Sequence, residues 1–133
     1  MAGPRVFFTG ALEHRHLVNL LPLADVAVTP SIFPEAFGMV AAEAAAAGVP
    51  PLVARHSGLA EIAAGIEREY PADRRELASF VNGDAGDLQA KLEALLALPE
   101  SQRELLGKAA RRAAESNWSW KTVAERLLQP FTI

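Results

Sequence analysis

The chain has 133 residues, half of them hydrophobic, with 16 acidic and 13 basic side chains and a formal charge of −3. That length allows one core and hardly two, and the charge balance leaves no basic footprint for nucleic acid. There is no cysteine, which excludes disulfides and thiolate chemistry, and no apolar run approaches the roughly 18–20 residues that cross a bilayer.

In chain order, Val6-Phe7-Phe8-Thr9, closed by Gly10, reads as a buried strand. Leu17, Leu20 and Leu21 share one face of a helix over 12–21, which Pro22 ends. A second strand covers 25–29, and an alanine-rich helix covers 37–47. Gly48 is placed as the left-handed cap of that helix, and Pro50 cannot continue it. Residues 51–54 form a third strand, and Ser57-Gly58 opens a short helix through Glu61 and Ile62. The polar stretch 65–77 reads as a surface excursion, and 78–81 as a fourth, short strand. Leu88, Leu92, Leu95 and Leu96 make the stripe of a helix packed on a sheet, broken by Pro99. Ser101 with Glu104 forms a capping box for the next helix. Ser119 caps the last one, with Trp120, Val123, Ala124, Leu127 and Leu128 as its buried face.

Apolar strands without alternation, separated by helices, predict an α/β fold: a Rossmann-like parallel sheet of about four strands with helices on both faces. In such sheets ligands sit outside the carboxyl ends of the strands. Three segments fall there: 10–14, 30–37 and 55–58.

The middle segment carries the chemistry. Glu35 and Glu43 stand eight positions apart, with Gly38 and small residues between them. Strand, turn and helix N-terminus is the geometry that holds phosphate esters on backbone N–H groups, and the carboxylates add acceptors on either side. Eight helical positions span about 12 Å. A glycoside hydrolase pair needs carboxyls about 5–5.5 Å apart for retention or about 6.5–9.5 Å for inversion, so the spacing disfavours hydrolysis. It fits the distance between the hexose and ribose hydroxyls of a sugar nucleotide. Against this stands the ordinary reading of each Glu alone: one favours a helix dipole, the other is solvated.

Pro30-Ser31, Pro34-Glu35-Ala36-Phe37-Gly38-Met39-Val40, Glu43-Ala44 and Ala47-Gly48-Val49-Pro50 resemble the signature of the retaining, family 4 type glycosyltransferases of GT-B fold. Those enzymes carry a Glu-x7-Glu motif in their C-terminal, donor-binding domain. Residues 7–10, Ala24-Asp25-Val26, Ser57-Gly58-Leu59-Ala60-Glu61-Ile62 and Trp118-Ser119-Trp120 extend the resemblance over about residues 5 to 128. It implies that Glu35 is the catalytic-site carboxylate, touching donor hydroxyls as an orienting group rather than a nucleophile. Ser31, Ala36, Phe37, Gly38, Met39 and Val40 would hold sugar and diphosphate oxygens. Glu43 would accept from the ribose diol, and Gly10 and Ala11 would lie near the nucleobase. The donor would be a UDP, GDP or ADP sugar, with no metal and no further cofactor.

The resemblance also implies an N-terminal acceptor domain, acting in cis, and an Arg and a Lys upstream of residue 6 that face the diphosphate. The chain is therefore expected to be a partial donor domain, inactive alone. Its expected location is the cytoplasm, with any contact to the inner membrane face made by the rest of the parent protein. Ser57 replaces the family's first glycine, and the excursion 65–77 is longer than usual. His14, His16 and His56 lack the Cys or clustered carboxylates of a metal site and read as solvated, with His56 the one in reach of a donor phosphate. Trp118 and Trp120 read as packing residues, and Arg74-Arg75 and Arg111-Arg112 as solvated charge. A non-catalytic nucleotide-sensing or protein-interaction module is the competing class. A receiver-like domain is weaker, because no acidic cluster follows the first strand.

Overall fold

The structure is a computed structural model and describes residues 5–131. In chain order it comprises α1 (His14–Leu20), β1 (Ala27–Thr29), α2 (Met39–Ala46), β2 (Pro51–Ala54), α3 (Ser57–Glu69), β3 (Ser79–Phe80), α4 (Ala85–Ala97), α5 (Glu100–Asn117) and α6 (Trp120–Leu128). The three strands form one parallel sheet in the order β1-β2-β3. Ala27 lies opposite Pro51, Thr29 opposite Val53, and Val53 opposite Ser79. Parallel neighbours need a crossover of a dozen or more residues, which the segments containing α2 and α3 provide. The result is the α/β, Rossmann-like arrangement that the unbroken apolar strands predict, with helices on both faces.

Every residue of β2 is buried, which is why its sequence shows no alternation. Leu59, Ile62, Ala63 and Ile66 of α3 are fully buried at the i, i+3, i+4, i+7 spacing of a core-facing stripe. α5 lies against both α2 and α3 and buries Ala109, Ala110, Ala113 and Ala114. The approach of its first half is very close: a Cβ added at Gly107 would fall 2.0 Å from the Gly48 carbonyl oxygen. Gly48 itself has φ +77°. Its N–H donates to Ala45 O, and Val49 N–H donates to Ala44 O, both at 3.0 Å. This is the two-bond Schellman closure of α2, as Gly48 and Pro50 predict.

Several elements differ from the sequence reading. Residues 6–9 are not a strand, so the sheet has three strands rather than four. A buried strand needs a paired edge and cover on both faces, and among the described residues this segment has neither; Phe8 is 96% exposed. The segment 65–77 is not an irregular excursion. α3 continues to Glu69 because Gly65 and Ile66 face the core, and a 3-10 turn over Ala72–Ala78 then delivers Leu77 and Ala78 to it. The Ser101–Glu104 capping box does not form. Pro99 is the N-cap, and its carbonyl accepts from Gln102 N–H and Arg103 N–H, so α5 starts before Ser101. Pro22, by contrast, does end the first helix as expected: α1 stops at Leu20, and Pro22 sits in the 3-10 turn Leu21–Leu23 that follows. In α4 only Leu95 is fully buried, and Leu96 is exposed.

Ser119 does cap α6, accepting from Thr122 N–H at 3.1 Å. The buried face expected for that helix is absent, however. None of its residues is buried, and Trp120 is 86% exposed. Trp118, in contrast, packs as expected: it fills the space over Gly65 and meets Phe37 edge-on at a ring distance of 6.1 Å.

Candidate functional site

The carboxyl ends of β1 and β2 lead into residues 30–38 and 55–58, and these two segments are bonded to each other. Glu35 N–H donates to Ser57 Oγ at 2.9 Å, and Gly58 N–H donates to Glu35 O at 2.9 Å. The backbones touch: a Cβ at Gly58 would sit 2.5 Å from both Cα and N of Phe37. His56 Nε2 bonds Ser31 O, and His56 Nδ1 lies 3.0 Å from Ser57 Oγ. Both ring nitrogens of His56 are thus engaged within the protein. Arg55 is engaged as well. Its guanidinium pairs with Glu67 of α3 and donates to Ser79 Oγ. The Glu35 carboxylate, half-buried, has no hydrogen bond or ion pair among the described residues.

Gly38 begins α2. It has φ +92°, where glycine is unstrained, and its carbonyl accepts from Ala41 N–H and Ala42 N–H. The N–H groups of Met39 and Val40 precede those first intrahelical bonds and are the donors a helix start leaves over. Gly38 is buried, and a Cβ there would meet Leu59 Cδ2 at 2.6 Å. The room it makes is filled by α3. Ala36, Met39 and Val40 are exposed, and Ser31 and Phe37 are half-buried.

Glu43 lies in the second turn of α2 with its side chain 30% exposed, 4.0 Å from His14 Nδ1. It lines two adjoining cavities. One, of about 450 Å³, runs between α1, α2 and Arg111 of α5. The other, of about 430 Å³, is walled by Phe37, Met39, Ala42, Trp118 and Trp120. Ser31, Glu35, Ala36, Gly38 and Val40 line neither. Gly10 and Ala11 are exposed and line neither; without a strand at 6–9, the segment 10–14 is not anchored at the sheet's edge as the sequence reading expected.

Arg111 was missed as a cavity residue: its neighbour Arg112 and its partner Glu115, at 3.0 Å, make it read as solvated charge. Ser57 stands out in the sequence as a departure, not as a hydrogen-bonding partner. A hydroxyl contact across 22 positions has no local sequence signal. Among the described residues no group of three or more His, Asp or Glu could hold a metal, and no helix is long and apolar enough to cross a membrane.

A parallel sheet with helices on both faces, Glu35 in the loop and Glu43 in the helix beyond its first strand, is a Rossmann-like α/β domain. Residues 1–113 match the family described as glycosyl transferases group 1, and the chain belongs to that family. It is 35% identical to glycogen synthase of Mycobacterium tuberculosis over 124 residues, covering 93% of this chain and 28% of that protein. It is 33% identical to sulfoquinovosyl transferase SQD2 of Arabidopsis thaliana over 127 residues, covering 94% and 23%. A GDP-mannose-dependent monoacylated alpha-(1-6)-phosphatidylinositol monomannoside mannosyltransferase of Corynebacterium glutamicum is 30% identical over 128 residues, covering 92% and 31%. The chain therefore spans about a quarter to a third of the length of these relatives. No solved structure gives a significant match.

Proposed function

We propose that this chain is the donor-binding part of a retaining, GT-B fold glycosyltransferase that moves a hexose from a nucleotide sugar to an acceptor. The observation that carries the reading is the free Glu35 carboxylate, on a backbone bonded through both its N–H and its C=O, next to the leftover N–H groups of α2. A carboxylate carried on a held backbone and left without a protein partner is an acceptor available to hydroxyls, and leftover helix N–H groups suit phosphate and sugar oxygens. In this reading Glu35 orients the hexose, the amides of Phe37 to Val40 face sugar and diphosphate oxygens, and Glu43 accepts from the ribose diol. The C1–phosphate bond breaks while the acceptor oxygen bonds C1 on the same face. The acceptor's proton passes to the departing phosphate. No metal is required.

The relatives are three to four times longer, and we place acceptor binding and the cations for the diphosphate in a second domain acting in cis. Arg55, which directly follows β2, is already paired with Glu67. Charge-assisted hydrogen bonds contribute about 1.5–3 kcal/mol each. Without cations or a second domain the net for this chain is about −4 kcal/mol, a Kd on the order of 1 mM. An NMR titration with UDP-glucose, GDP-mannose and ADP-glucose is expected to shift amides over 35–43 with at least one of them. No shift with any donor at tens of millimolar would defeat the proposal, and measured sugar transfer by the 133-residue chain alone would defeat its division between two domains.

A further inference from the structure

Ser57 stands at φ +43°, in the left-handed region that non-glycine residues rarely occupy and that persists only where the surroundings over-determine it. Glycine would adopt it without strain. What serine adds is a hydroxyl, and that hydroxyl is fully used. Its Oγ accepts Glu35 N–H at 2.9 Å and lies 3.0 Å from His56 Nδ1. The other ring nitrogen, Nε2, faces Ser31 O. A carbonyl only accepts, so Nε2 carries the hydrogen, and Nδ1 of the neutral ring is left as the acceptor. One direction of donation then satisfies every group: Glu35 N–H to Ser57 Oγ, Ser57 O–H to His56 Nδ1, His56 Nε2–H to Ser31 O. The relay ties both ends of the 31–35 loop to the residues that follow β2.

We infer that Ser57 and His56 are positioning residues. Their hydroxyl–imidazole relay fixes the loop so that the Glu35 carboxylate faces the donor, and the strained backbone of Ser57 is tolerated for that hold. The inference rests on the donor reading above. It assigns His56 a role through the loop, since neither ring nitrogen is free for a phosphate.

The test compares wild type, Ser57→Ala, Ser57→Gly and His56→Gln in the 133-residue chain. Hydrogen exchange at the Glu35 amide, the thermal midpoint and NMR affinities for UDP-glucose, GDP-mannose and ADP-glucose are read in each. Ser57→Ala loses the relay and keeps the strain; Ser57→Gly loses both. The Glu35 amide is expected to exchange about tenfold faster in both, with donor affinity falling by a similar factor, the size of one hydrogen bond. The midpoint should drop in Ser57→Ala and drop less in Ser57→Gly, where strain is relieved. A merely structural residue would move midpoint and affinity together, and Ser57→Gly separates them. His56→Gln keeps a donor for Ser31 O but no ring acceptor, and is expected to lose about threefold.

Unchanged Glu35 exchange in both Ser57 variants overturns the relay, and wild-type exchange in His56→Gln removes His56 from it. Faster exchange with unchanged donor affinity overturns the positioning role. A wild-type chain that binds none of the three donors overturns the donor reading and the positioning role with it, while the exchange measurement still reports the relay independently.

Discussion

Glu35 and Glu43 are near in sequence, yet the fold places them by different means. Glu35 sits on a loop with no regular bonding of its own, and its backbone is held through N–H and C=O by the first turn of α3. Glu43 sits in a regular helix whose internal bonds need no outside help. Its location depends on how α2 packs, with Ala41, Ala44 and Ala45 fully buried and Gly107 pressed on the Gly48 carbonyl at the helix end. One carboxylate is placed by hydrogen bonds from a distant element, the other by close packing. Damage to the two should therefore be separable.

The largest effect is expected from Gly107→Ala. The added methyl would lie 2.0 Å from a backbone oxygen, so α5 must move away from α2. Overpacking of this kind costs about 3 kcal/mol, read as a lower urea midpoint. Amide shifts should change along α2 and α5 and change little at residues 31–37. Gly58→Ala is the complementary disturbance. Its methyl would lie 2.5 Å from Phe37 backbone atoms, with an expected loss of about 2 kcal/mol. Here the signals of Glu35 and Phe37 should move most. If Gly107→Ala displaces Glu35 as strongly as Gly58→Ala does, the two carboxylates are not independently placed. Gly48→Ala separates conformation from packing within the α2 side. Nothing lies within 4 Å of its added methyl, but φ is +77°, so only the backbone term remains, about 1 kcal/mol.

The same division explains what the sequence revealed. Local chemistry was readable: the Gly48 closure of α2, the Ser119 cap, the buried β2 strand and the phrase from Pro30 to Gly48 all depend on neighbours in the chain. The glutamates stand out in the sequence because their spacing and company are local. Their supports do not. The Ser57 hydroxyl contact and the fit of Gly58 to Phe37 and of Gly107 to Gly48 join residues 21 to 59 positions apart, and no periodicity encodes them. The wrong elements fail for a related reason. Val6-Phe7-Phe8 and the Trp120-to-Leu128 stripe have the pattern of buried faces, but Val6, Phe7, Phe8, Trp120 and Leu127 are exposed. Pattern reports that a face suits burial, while burial itself depends on what the rest of the protein brings to it. The excursion at 65–77 was misread in the opposite sense: four charged residues at 73–76 masked the apolar side of a compact turn that buries Tyr70, Leu77 and Ala78.

The smallest expected effect bears on whether Glu43 has a side-chain anchor at all. Its nearest charged partner is His14, at 4.0 Å, and the His14 side chain is 72% exposed. The imidazole attracts a carboxylate only when protonated, and an exposed pair at this distance contributes about 0–1 kcal/mol even when charged. His14→Ala should therefore change the unfolding free energy measured with urea at neutral pH by no more than about 0.5 kcal/mol, and adding salt should not enlarge the difference between variant and wild type. A loss well above about 1 kcal/mol would mean that Glu43 is held through its carboxylate, erasing the contrast with Glu35, whose hold is entirely through its backbone. The expected near-zero result leaves Glu43 fixed by the packing of α2 alone.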